Sequence, residues 1–95
     1  MLYKTVARQM EEEKRRLKES GRLFKSEIKD VPDLIWSLAL ISISSRKEYL
    51  KEWFNSPVPA LKGRTPLSVI REDARGEKIL FESLKKIEGG FPCGD

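Results

Sequence analysis

Apolar residues recur along this chain at helical spacing, and they nowhere alternate with period two for long enough to form a strand. Leu2, Val6, Met10 and Leu17 define the stripe of a first helix, and Ser20 with Gly21 supplies its stop. On its other face, Glu11 with Arg15 and Glu12 with Arg16 form i,i+4 pairs in the favourable order. Asp30, Val31, Pro32 and Asp33 then read as a helix start, with Asp30 as N-cap and Pro32 in the first turn. The run from Leu34 to Ile41 is apolar nearly all round. Such a helix is wrapped by its neighbours or forms a subunit interface.

Ser45 and Glu48 have capping-box spacing, and the helix they open puts Tyr49, Leu50, Trp53 and Phe54 on one side, read as core first and as a binding surface second. Pro57, Pro59 and Gly63 make residues 57–65 a loop, with Leu61 as its buried anchor. Thr65 and Pro66 restart a short helix as N-cap and first helical residue. The last helix is expected from Asp73 or Ala74 to Glu88, with Ile79, Leu80, Leu84 and Ile87 inward and Lys78, Lys85 and Lys86 outward. Gly89 and Gly90 end it. The fold class is all-α, a small bundle of about five helices with a Pro/Gly-containing loop before a short helix. Residues 1–44 form a basic N-terminal region and 45–95 a second region, within one compact domain.

Composition narrows the function. A chain of 95 residues carries one thin core. Nineteen Lys and Arg against fifteen Asp and Glu give a net charge of +4, and residues 1–31 hold nine basic against six acidic. The basic front is compatible with an anionic partner without requiring one. The phosphate-contacting candidates there are Arg8, Lys14, Arg15 and Arg16. No short Gly-containing turn joins two compact amphipathic helices in residues 1–44, so a clear helix-turn-helix is absent. No apolar run reaches membrane-spanning length, the N-terminus lacks an apolar signal region, and a cytoplasmic protein is expected.

There is no histidine, which excludes His-dependent triads and Cys/His zinc sites. The lone Cys93 excludes an internal disulfide. Glu72 and Asp73 lie beside Arg71 and Arg75 as compensated surface charges, and residues 63–66 lack the spacing of a phosphate loop. No catalytic set, metal site or cofactor is expected, and the chain reads as a non-enzyme.

One stretch is more specific. Trp53, Phe54, Asn55, Ser56, Pro57, Val58, Pro59, Ala60, Leu61, Lys62, Gly63, Arg64, Thr65, Pro66 and Leu67 are followed by Gly76, and then by residues 84–91 ending Ile87, Glu88, Gly89, Gly90, Phe91. This run resembles the Xre/MbcA/ParS toxin-binding domain of bacterial antitoxins. Residues 46–91 carry the resemblance, with the landmarks in order. Two positions depart from the family pattern. Val58 stands where it has Asn, and Lys62 replaces the first glycine of a Gly-Gly pair.

The resemblance implies a partner rather than a reaction: a RES-domain toxin that attacks NAD, whose cleft the antitoxin blocks with its C-terminal helix and end. Carried over, toxin binding falls on Lys78, Lys85, Lys86, Glu88, Gly89, Gly90 and Phe91, with Arg64 as the loop arginine. Self-association as a homodimer through residues 34–43 is also expected, as is contact with operator DNA from the basic front. The alternative is a small basic DNA-binding or transcriptional regulatory protein without a toxin partner.

Overall fold

The computed structural model describes the backbone of residues 2–89 and the side chains of residues 6–87. Within them lie five α-helices: α1 (Leu2–Glu19), α2 (Asp33–Ser42), α3 (Lys47–Phe54), α4 (Pro66–Glu72) and α5 (Gly76–Gly89). A 3-10 turn, Pro59–Leu61, sits between α3 and α4. No strand occurs among the described residues beyond an isolated bridge between Val58 and Arg64. The bundle is all-α, as the periodicity requires.

α2 is the axis of the core. Leu34 through Ala39 are all buried, and α5 packs along it most extensively, with α1 and α3 on other sides. The rest of the chain therefore covers Leu34 to Ala39 of this round apolar helix, while Ile41 stays 38% exposed. Trp36 stacks on Phe54 of α3 with ring centroids 6.1 Å apart, and Trp53 meets Phe54 edge-on at 5.0 Å. α5 contributes Leu80, Phe81 and Leu84. Ile87, expected inward, is 49% exposed. Tyr49 is likewise on the solvent side of α3, while Leu50 and Phe54 are fully buried.

α1 ends as its sequence demands. Gly21 adopts φ +76, and the amide of Arg22 donates to the Leu17 carbonyl at 2.7 Å. Leu17 is buried and Val6 and Met10 are partly so; the Leu2 side chain lies outside the described residues. Two expected starts differ. α2 begins at Asp33 with Pro32 in the capping position, and Asp30 instead takes a left-handed φ of 75 and pairs with Arg71 of α4 at 3.0 Å. The capping box at Ser45 does not form. Arg46 occupies the N-cap of α3 without a side-chain cap, and its own amide donates to Ser44 Oγ at 3.1 Å.

The loop and α4 follow the sequence closely. Leu61 is buried, and Thr65 Oγ1 accepts the Ser68 amide at 3.0 Å. α5 starts at Gly76, two or three residues later than expected, and the reason is steric. A Cβ at Gly76 would lie 2.2 Å from the Val69 carbonyl oxygen, so only glycine lets α5 cross α4 this closely.

Candidate interaction surface

The residues singled out for partner contact sit in three places. Arg64 closes the 57–65 loop. Its carbonyl accepts the Val58 amide at 3.0 Å, while its guanidinium reaches Ser68 O at 3.5 Å, Glu72 at 3.4 Å and Asp73 at 3.9 Å. The side chain is thus engaged at both ends of α4, and its role within the fold is to clamp the loop onto that helix. Lys62 and Gly63 are both left-handed, with φ of 60 and 82. Two successive residues in that region are what a Gly-Gly pair supplies without strain, and Lys62 adopts the conformation at a cost of about 1–2 kcal/mol.

α5 carries the second group. Lys78 and Lys86 are exposed, as expected. Lys85 is not directed outward. Its Nζ lies 3.4 Å from Glu13 Oε1 of α1, and Arg16 approaches the same oxygen at 2.7 Å. Glu13 is itself buried, with its side chain 7% exposed. Its position explains this: 6, 10, 13 and 17 lie on one face of α1, so Glu13 fills the gap in the apolar stripe. An acid at an apolar register position was the signal for a tertiary ion pair. Glu88 and Gly89 are the last residues of α5, and the Glu88 side chain, Gly90 and Phe91 lie outside the described residues.

The third group lies on α1. Arg8, Lys14, Arg15 and Arg16 are all exposed. At roughly 100° per residue, Arg8 and Arg15 fall within about 20° of each other, while Lys14 and Arg16 diverge to either side. Glu11, Glu12 and Glu19 share the Arg8/Arg15 face. The four cations therefore do not build one basic stripe, which is what tracking a phosphate backbone calls for. Arg16 is additionally held by Glu13 rather than by Glu12.

Among the described residues no group of three or more His, Cys, Asp or Glu could hold a metal, and no helix is long and apolar enough to cross a membrane. The Glu27 carboxyl departs from its ordinary value. Glu27 is held low by hydrogen bonds from Lys47 and then Lys51, at 2.8 and 3.3 Å. This pair ties the segment before α2 to α3. No protein family, characterised protein or solved structure matches this chain.

Proposed function

We propose that the protein is an antitoxin that neutralises a RES-domain, NAD-consuming toxin by presenting α5 and the residues after it to the toxin's cleft. The observation that supports this reading is what the landmark residues of the antitoxin resemblance do in the fold. Leu61 anchors the loop, Lys62 and Gly63 both adopt the left-handed region, and Arg64 clamps the loop to α4. Thr65 caps that helix, and Gly76 lets α5 lie against it. Each has a separate geometric job, and together they set the direction of α5. Lys62 adopts a left-handed conformation that a glycine at this position would take freely.

The far end of α5 adds to this reading. Exposed Ile87 gives the last turns of α5 a large apolar side chain for a partner to cover, with exposed Lys86 beside it. The regulatory alternative draws less support, because acids interleave the exposed basic face of α1.

The test is co-expression with a RES-domain toxin, taken from a reading frame adjacent to this chain's own if one is found there. The full chain should restore growth and cellular NAD and co-purify with the toxin. Truncation after Ile87 should leave a folded protein, since Leu80, Phe81 and Leu84 remain, yet abolish protection. Growth arrest and NAD loss unchanged by the full chain would overturn the proposal, and full protection by the folded truncation would overturn the blocking role of the end.

A further inference from the structure

One cavity lies away from α4 and α5. It occupies about 740 Å3 between the 22–27 segment, α2 and the start of α3, within the size range of small-molecule sites. Its wall is mostly apolar: Phe24 on the segment faces Leu40 and Ile41 on α2, with Trp36 contributing from the interior. Phe24 and Ile41 are 50% and 38% exposed, and so two of the large hydrophobic residues the fold leaves to solvent line this one cavity. Singly exposed apolar residues need no explanation, but two converging on one cavity do.

Charge selects the occupant. Arg22, Lys25 and Lys47 line the cavity with a single acid, Glu27. Glu27 is already shared by Lys47 and Lys51, whereas the side chains of Arg22 and Lys25 have no ion-pair partner among the described residues. A second copy docking through the same face would bring like charges together, which disfavours a symmetric dimer here. Trp36 is fully buried behind this wall, and its indole Nε1 has no hydrogen-bond partner among the described residues.

We propose that this cavity binds an amphipathic organic anion: an alkyl or aryl body against Phe24, Leu40 and Ile41, and an acidic head held by Arg22 and Lys25. The site is independent of the antitoxin reading, since none of its lining residues belongs to α4 or α5.

The probes are dodecanoate, dodecanol and dodecylammonium, each titrated into the full chain below its micelle concentration and followed by calorimetry. Dodecanoate should bind saturably with one site per chain, at least ten-fold tighter than dodecanol, and dodecylammonium should not bind. Of the two indole N–H resonances, that of Trp36 should move on titration while that of Trp53 stays. The pair Arg22→Glu and Lys25→Glu should weaken dodecanoate ten-fold or more and leave dodecanol unchanged. Ile41→Glu, on an exposed wall position, should remove binding of both, with circular dichroism verifying that each variant is folded. Equal binding of all three probes would overturn the assignment of an anionic head. Capture by phosphatidylglycerol vesicles without saturable dodecanoate binding, or a concentration-dependent dimer that the two charge reversals strengthen, would overturn the cavity as a small-molecule site.

Discussion

Two irregular segments of this protein are held in place by different means. Residues 57–65 close on themselves: five main-chain hydrogen bonds link Val58, Pro59, Leu61, Lys62, Gly63 and Arg64, and Leu61 plugs the space beneath. Residues 22–32 make almost no such bonds, Val31 N–H to Ile28 O at 3.2 Å being the exception. They are pinned by side chains instead. Phe24 exchanges two bonds with buried Ser37, at 2.7 and 3.2 Å, the Ser26 amide donates to Asp33, and Asp30 and Glu27 pair with Arg71 and Lys47. The first segment carries its conformation in its own residues. The second borrows it from α2, α3 and α4. That is why one sets a rigid angle between helices while the other forms one wall of a cavity.

The comparison can be broken most forcefully at Leu61. Leu61→Ala removes the plug of the self-closed loop and should cost about 2–5 kcal/mol in urea unfolding. Val31, buried under the pinned segment, should cost less when truncated to alanine because the smaller side chain loses fewer contacts. If the two costs are equal, the loops are not distinguished by their anchors.

Gly76→Ala tests the backbone side of the comparison. Its Cβ would collide with the Val69 carbonyl, so α4 and α5 must separate, at about 1–3 kcal/mol by the same measurement. A neutral result would show that the crossing relaxes freely. Ser37→Ala tests the side-chain pins. It leaves the Phe24 amide and carbonyl without their partner and should cost about 1–2 kcal/mol. Amide exchange should quicken at residues 22–28 and not at 57–65; uniform quickening would show that the segment is not separately held.

Lys62→Gly should act in the opposite direction. It relieves a left-handed non-glycine residue and should stabilise the protein by about 1 kcal/mol, less the extra freedom glycine gives the unfolded chain. The smallest effect concerns pH. Glu27 has a lowered folded pKa, so its contribution is present above the unfolded carboxylate value and is lost as pH falls through the folded one. Glu27→Gln should therefore lower stability slightly in the neutral region, where the charged pair contributes, and converge with the parent protein at low pH, which flattens the acid limb. An unaltered acid limb would remove this pin from the account.

What was legible in the sequence was what neighbouring residues settle among themselves. The Gly21 stop, the Thr65 cap with Pro66 behind it, the buried Leu61 and the apolar roundness of α2 all follow from a few consecutive side chains acting on their own backbone. The candidate site was legible only in part, for the same reason. Lys78 and Lys86 are exposed as their helical phase requires, yet Lys85 turns to Glu13, a buried acid of α1 that Arg16 pairs from within the helix and Lys85 from across the fold. Ser45 lost its cap to a backbone that placed Ser44 nearer the free amide, and Asp30 left its helix for Arg71 across the fold. Ile87 has the right phase for the core yet stays half-exposed. Local sequence determined which residues are helical and where each helix can stop. Only the tertiary structure decided which faces found a partner, because that depends on where other helices end and on which distant charge lies within reach.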